Sequence, residues 1–360
     1  MKVIALIDPC CSRAYATSSL GQDRIGGTES TILRVATALG HRFRFNVFQS
    51  ARTQIEQDPI GQLLPLMDFT ASHLADHDAI IVINSWKVAL KARKLAPETP
   101  IVLWMHTYPG RHNRKMGPAL AAADIGIVCV SQTHAEDVAK FLGDRTEEGP
   151  LIQHIYNPVA DDLRPDTTER DTDRLLFASA PHKGLDEVYA KFDALRQERP
   201  NLVLEVADPG YLAWDVGVPP RGVQLLGSLS HYQLIGRMRA ACCLFYPQTS
   251  FAETFGLVIA EANAVGTPAL VHQGLGANNE IVSSPDQRID ANSLSQITGR
   301  LDAWRANPPD IQAQEQFRLA RVGQEWERYL EQLIRSAGAQ DRKTRGVDSS
   351  PTDMDFQSAC

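Results

Sequence analysis

The stretch Phe251-Ala-Glu-Thr-Phe-Gly-Leu-Val-Ile-Ala-Glu261, continued by Ala262-Asn-Ala-Val-Gly-Thr-Pro268, reads as a loop that enters a helix. Thr254, Phe255 and Gly256 make the turn, and Leu257, Val258 and Ala260 begin an apolar face of helical period. Gly266-Thr267-Pro268 stops that helix in front of an apolar strand, Ala269-Leu-Val-His272. The segment places two carboxylates, Glu253 and Glu261, eight positions apart. If every intervening residue were helical, the two Cα atoms would stand about 12 Å apart. That is too far for a pair sharing one proton and beyond the roughly 5–9.5 Å of glycoside-hydrolase acid pairs. It suits two carboxylates gripping separate hydroxyl-bearing parts of one long ligand, with an anionic centre at the helix N-terminus between them. A nucleotide sugar has that layout. A plainer alternative stays open, in which Glu253 only complements the helix dipole and Glu261 is solvated.

Outward from this segment the chain divides into two α/β halves. The first has strands at Val3–Ile7, Arg44–Phe48, Ala79–Ile83, Ile101–Trp104 and Ile125–Val130, and a helix from Thr28 to about Leu39. The second repeats the rhythm with Leu175–Ser179, helix Asp186–Gln197, Val203–Val206, Val223–Leu226, helix Tyr232–Arg239, Cys242–Tyr246, helix Leu257–Ala264 and Ala269–Val271. Short apolar strands without strict alternation, separated by helices, predict parallel sheets covered on both faces. We read residues 1–157 as the first domain, 158–173 as a polar linker with two prolines, and 174–311 as the second domain. An amphipathic helix over 312–337, carrying Phe317, Val322, Trp326, Tyr329 and Leu333, precedes a polar tail, 338–360, expected to be disordered.

Composition narrows the function classes. With 360 residues, 43% hydrophobic and 22% charged, two packed domains are expected. No apolar run reaches the roughly 18–20 residues of a membrane span, and Met1–Ile7 reads as a buried strand instead of a leader. The six cysteines, Cys10-Cys11, Cys129, Cys242-Cys243 and Cys360, offer no C-x-x-C, and two adjacent pairs suit neither a disulfide framework nor a zinc site, so a cytoplasmic location is expected. Residues 1–157 hold 16 Lys/Arg against 15 Asp/Glu, while the remainder holds 20 against 28, which accounts for the net charge of −7. Two basic clusters, Lys87/Lys91/Arg93/Lys94 and Arg111/Arg114/Lys115, read as a solvated helix face or as a surface for an anionic acceptor or the inner membrane face. The acidic balance and the lack of interleaved aromatics argue against nucleic acid as a partner.

Parallel sheets bind ligands outside the carboxyl ends of their strands. Four loops fall there: Gly26-Gly27, Trp104-Met-His106-Thr-Tyr-Pro-Gly110, Ser179-Ala-Pro-His-Lys183-Gly184, and the segment that holds both glutamates. Taken together, these residues resemble the retaining GT-B glycosyltransferases of family GT4, whose signature is Glu-x7-Glu. The likeness extends to Gly26-Gly27-Thr-Glu, His106, Ile155-Tyr-Asn-Pro-Val, Pro181-His-Lys183-Gly184, Leu226-Gly227 and Tyr246-Pro247. It implies two Rossmann-like domains facing each other across a cleft, with the last helix crossing back onto the first domain. It also implies that Glu261 binds the ribose and Glu253 the transferred sugar. By the same resemblance the backbone around Thr254, Phe255, Gly256 and Leu257 faces the sugar and distal phosphate. Lys183 would neutralise the leaving diphosphate, Gly26 and Gly27 would let backbone approach it, and His106 would lie over the donor sugar or near the acceptor.

The expected reaction moves a hexose from a UDP- or GDP-sugar to a saccharide or lipid-linked acceptor, with retention by front-face attack and with no cofactor. One departure is plain: where the family keeps Gly-Arg ahead of the lysine, this chain has Phe177-Ala178, so one phosphate-binding arginine is missing. The D-x-D of Asp171-Thr-Asp173 has the form that metal-dependent transferases use, but it falls in the expected linker and is read as solvated, so no metal site is assigned. A dinucleotide oxidoreductase is disfavoured, because Asp8-Pro-Cys-Cys-Ser follows the first strand where G-x-G-x-x-G belongs. A sugar-nucleotide 2-epimerase and an inert sugar-nucleotide-binding protein remain the alternatives on the same fold.

Overall fold

A computed structural model describes residues 1–21, 25–143, 149–210 and 215–344. They group into two compact units. One comprises Met1–Thr17, Thr31–Tyr156 and the chain from Ala320; the other comprises Ser18–Ser30 and Asn157–Leu319.

The first unit opens with β1 (Lys2–Asp8), then α1 (Gly27–Ala38), whose first turn belongs to the other unit, and β2 (Phe43–Gln49). The chain continues through β3 (Glu56–Asp58), β4 (Gly61–Pro65), α2 (Ala71–Leu74), β5 (Ala79–Ile83) and α3 (Trp86–Leu95). It closes with β6 (Ile101–Met105), α4 (Met116–Ala122), β7 (Gly126–Cys129), α5 (Gln132–Phe141) and β8 (Ile152–His154). The sheet order is β3-β4-β2-β1-β5-β6-β7-β8, parallel throughout except for β3 against β4. Central strands such as β5 and β6 are buried along their whole length, which is why they read as unbroken apolar runs. The additional strands β3, β4 and β8 are only three to five residues long, and β3 is polar, so periodicity gave no sign of them.

The second unit contains β9 (Asp171–Phe177), α6 (Leu185–Glu198), β10 (Val203–Asp208), β11 (Val223–Ser228), α7 (His231–Ala240) and β12 (Ala241–Tyr246). These are followed by α8 (Leu257–Ala264), β13 (Ala269–His272), α9 (Asn278–Ile281), β14 (Arg288–Ile289) and α10 (Leu294–Ala306). The strand order β11-β10-β9-β12-β13-β14 is all parallel. It is the 3-2-1-4-5-6 order of dinucleotide-binding sheets, with its reversal between β9 and β12. The loops after those two strands therefore flank the point where such sheets bind ligands.

The chain ends in α11 (Leu319–Thr344), which returns to the first unit and sets Trp326 at 4.4 Å from Trp104, ring to ring. This helix begins at Leu319, and not at 312 as expected. The amide of Val159 donates to the Phe317 carbonyl and the amide of Leu319 to the Val159 carbonyl, so the backbone there is committed to a bridge with residue 159. Phe317 belongs to the preceding turn and packs edge-on against Phe255 at 5.2 Å. The Arg318 guanidinium donates to the carbonyls of Ala160 and Leu163, so the start of the expected linker is fastened down. Its end is strand, since β9 starts at Asp171. Of the tail expected to be disordered, 338–344 are helical and the rest lies outside the described residues. Among the described residues no cysteine is in a disulfide, and no helix is long and apolar enough to cross a membrane.

Candidate functional site

The two loops at the reversal of the second sheet bring Lys183 and Glu253 together. Residues 178–184 leave β9 and turn into α6 at Gly184, whose φ of +89° is left-handed and so suits glycine. Residues 247–256 leave β12 and enter α8 through Gly256, also left-handed at φ +87°. Lys183 Nζ donates to both carboxylate oxygens of Glu253, at 3.0 and 3.1 Å, and stands 4.7 Å from the Phe251 ring centroid. Tyr246 Oη donates to Glu253 Oε1 at 2.9 Å from the last residue of β12. Burial and the adjoining Glu253 charge hold the Tyr246 phenol well above its ordinary range, so it stays a donor.

The backbone of Glu253 is held as firmly as its side chain. The Ala277 amide donates to the Glu253 carbonyl at 2.9 Å. A Cβ on the neighbouring Gly276 would lie 2.5 Å from that same carbonyl oxygen, so only glycine permits this approach. The loop Gly274-Leu-Gly-Ala277 thus serves to fix Glu253. Upstream in the loop, Gln248 accepts from the amides of Ser250 and Phe251 and donates to the Phe251 carbonyl. Glu187 of α6 accepts from both the amide and the hydroxyl of Thr249. Burial pushes Glu187 up, but hydrogen bonds from Ser250, Thr249 and Lys191 outweigh it and hold its carboxyl at about 2.

Glu261 sits inside α8. That helix spans the expected residues, but it does not present one apolar face: every residue from Ile259 to Ala264 is buried. Glu261 is 5% exposed, which removes the solvated alternative. A buried carboxylate needs a donor, and His231, the first residue of α7, supplies one from Nε2 at 2.9 Å. Gly27 opens α1 against the same helix, and a Cβ there would be 3.8 Å from Leu257 Cδ2. A Cβ on Gly26 would meet the flexible Glu29 carboxylate at 2.3 Å. The structure thus joins Lys183 to Glu253 and sets Gly27 beside Leu257, with Thr254, Phe255 and Gly256 forming the turn between the two glutamates.

His106 belongs to the first unit, just past β6, and is 8% exposed. Its ring lies tilted against that of Trp104, with 4.7 Å between centroids. Burial, assisted by the nearby His134, lowers its pKa to about 3, so the imidazole is neutral near pH 7. It can donate or accept a hydrogen bond there, but it cannot supply a proton from an imidazolium.

The two basic clusters converge, because Trp86 Nε1 at the start of α3 donates to Asn113 Oδ1 at 3.0 Å. Lys87, Lys94, Arg111, Arg114 and Lys115 are exposed. Arg93 is not part of that surface: its guanidinium donates to the carbonyls of Pro97, Thr99, Ala123 and Asp124, tying α3 to the turns beside it. Asp171 and Asp173 lie at the amino end of β9, the former paired with Arg174 and the latter with Arg305. The D-x-D string is thus the start of a strand and not a linker.

Three partners escaped the sequence reading. Tyr246 enters that reading only through its Tyr-Pro block, and Gly276 and His231 do not enter it. Glycine repeats and a Tyr before Pro were the only local signals available for them.

An α/β chain of this topology, with a reversal-point loop pair built around a Lys–Glu contact, has the GT-B fold. Residues 164–310 carry a domain that matches the family described as Glycosyl transferases group 1. The glycogen synthase of Mycobacterium tuberculosis is 25% identical over 266 residues, covering 67% of this chain and 63% of that protein. The match therefore spans less than two thirds of that relative's length. Among solved structures, HepE of Anabaena in complex with UDP-glucose aligns with a TM-score of 0.60 at 17% identity, over 96% of this chain and all of that one. The α,α-trehalose 6-phosphate synthase of Burkholderia multivorans aligns with a TM-score of 0.65 at 12% identity, again over 96% and 100%. At these identities the structural likeness establishes the fold.

Proposed function

We propose that the protein is a retaining glycosyltransferase that moves a hexose from a UDP- or GDP-sugar to a saccharide or lipid-linked acceptor in envelope or exopolysaccharide synthesis. The observation that carries this reading is the Lys183–Glu253–Tyr246 cluster at the reversal of the second sheet, one helix away from the His231–Glu261 pair. Two buried carboxylates, each aligned by a donor, suit two sets of hydroxyls, with ribose at Glu261 and the transferred sugar at Glu253. Between them the amides that lead into α8 and the Lys183 ammonium meet the diphosphate, where charge grows as the glycosidic bond breaks. The acceptor hydroxyl attacks from the side on which the diphosphate leaves and passes its proton to a phosphate oxygen. His106, being neutral, contributes a hydrogen bond to sugar or acceptor. The HepE complex with UDP-glucose supports the donor class.

The reaction is proposed to need no metal and no cofactor, so full turnover in EDTA is expected, and rescue by Mn2+ of activity lost in EDTA would overturn that part. The joined basic surface of α3 and residues 111–115 is proposed to meet an anionic acceptor or lipid headgroups from the cytoplasmic side. The test of the whole reading is turnover of radiolabelled nucleotide sugars with and without candidate acceptors. A thermal-shift screen with UDP, GDP, ADP and their sugars identifies the base, since a ligand at 100 times its Kd adds about 2.7 kcal/mol. Glu253→Ala and Glu261→Ala are expected to abolish turnover. One observation favours a second reading, an inert sugar-nucleotide binder: Ala178 stands in the place of the missing arginine and brings no cation to the diphosphate. Ligand-induced stabilisation without turnover would select it.

A further inference from the structure

The first unit contains a second built arrangement, around the main chain of residues 106–107. The last ladder pair of β5 and β6 is Ile83 with Trp104. Beyond it Asn84 donates its amide to the Trp104 carbonyl at 3.0 Å and then turns out of the sheet with φ +55°, a left-handed conformation. Few residues other than glycine adopt it, and asparagine is one that does. The main chain leaves for α3, and the Asn84 side chain makes the next rung instead: Oδ1 accepts from the His106 amide at 2.7 Å. From the other side, Ser131 caps α5 by accepting from the His134 amide at 3.0 Å, which sets His134 beneath the same segment.

His134 is fully buried, and its tautomer follows from its partners. The Val130 amide donates to Nδ1 at 3.4 Å, so the proton is on Nε2, which donates to the Thr107 carbonyl at 3.3 Å. Its ring also meets Tyr108 edge-on at 5.0 Å. Burial lowers His134 to about 4, so this donor–acceptor arrangement persists near neutral pH. Two successive main-chain groups, the His106 N–H and the Thr107 C=O, are thus each held by a side chain, one from the residue just past β5 and one from α5. A strained asparagine and a buried imidazole aimed at one short segment are a costly way to make an ordinary turn. Strain and buried polar groups of this kind collect where geometry matters to function.

We propose that Asn84 and His134 are positioning residues that fix the backbone carrying His106, and that the rate of sugar transfer depends on that hold. The proposal rests on the glycosyltransferase reading above and adds to it the residues on which His106 depends. The test compares Asn84→Gly, which keeps the left-handed backbone and removes the acceptor, with Asn84→Asp, which keeps both. His134→Leu, which removes both bonds, is compared with His134→Gln, which keeps a donor. The readouts are kcat for radiolabelled UDP-glucose, or for GDP-mannose where the wild type prefers it, together with affinity for the free nucleotide and the thermal midpoint.

Asn84→Gly and His134→Leu are expected to lower kcat by about 10–100-fold, the scale of a misplacement near 1 Å. Nucleotide affinity should be unchanged, and Asn84→Asp and His134→Gln should restore most of the rate. Wild-type kcat in folded Asn84→Gly overturns the proposal alone, as does a loss that merely follows the folded fraction. A wild type that turns over no nucleotide sugar overturns the glycosyltransferase reading and this proposal with it.

Discussion

The carboxyl edges of the two sheets are built from the same geometry and opposite chemistry. In the second unit the edge carries charge: Lys183 forms an ion pair with Glu253, and His231 hydrogen-bonds Glu261, each carboxylate buried. In the first unit the edge is neutral: Asn84 and His134 hold the segment that carries His106, and burial keeps both imidazoles uncharged. Parallel sheets offer the same helix N-termini and strand ends in both places, so the difference lies in the side chains buried there. Ion pairs are suited to exchange with a charged ligand, since a diphosphate can take the ammonium that Glu253 now holds. Neutral buried groups have no such exchange to make and are suited to fixing shape.

The comparison breaks first at Lys183. Lys183→Ala is expected to lower kcat/KM by about 10²–10³-fold, and it costs stability as well, because Glu253 stays buried with Tyr246 as its side-chain donor. Trp326→Ala should act on stability alone. The ring is fully buried against Trp104 in the first unit, and its removal should cost about 3–5 kcal/mol in urea unfolding. Equal effects of both changes on kcat/KM would undo the contrast. Tyr246→Phe sharpens it, since it withdraws one donor from a buried carboxylate and leaves the lysine. A loss of about 1–3 kcal/mol is expected, visible both in stability and in donor affinity.

A further effect is in pH. Imidazoles titrate near 6.5 when unfolded, whereas His106 and His134 do so at about 3 and about 4 in the fold. The unfolded chain therefore binds more protons across that window, and stability falls as pH drops from about 6.5 toward 3–4. It is fully present above 6.5. A double variant, His106→Gln with His134→Gln, should flatten the urea midpoint between pH 7 and 4.5 relative to the wild type. Matching curves would mean that the two imidazoles are not buried as described.

Much of the second unit could be read from local signals. The Gly256 turn and the helix Leu257–Ala264 follow from a glycine at a helix start and another at its stop, and the structure places them at the expected residues. Lys183 was singled out by the resemblance of Pro181-His-Lys183-Gly184 to a family block, since a lysine in such a loop has no local signal of its own. His231 was not, because its partner lies 30 positions away and nothing near it in the chain signals the contact. Asn84 was hidden for a related reason: a left-handed φ at a strand end is set by what the side chain meets across the sheet. The helix α10 (Leu294–Ala306) went unread because only Ile297, Leu301 and Trp304 are buried in a polar run. The linker was misjudged in the same way, since Asp171-Thr-Asp173 looks solvated until Arg174 and Arg305 are placed beside it.

The central claim is that Glu253, held by Lys183 and Tyr246, grips the transferred sugar while Glu261 grips the ribose. Its most direct test is turnover of a radiolabelled nucleotide sugar by Glu253→Gln, measured beside binding of the free nucleotide. The account predicts a fall in turnover of about 10²–10³-fold with nucleotide affinity retained, because the free nucleotide makes its hydroxyl contacts at Glu261. Undiminished turnover in a folded Glu253→Gln protein would contradict it.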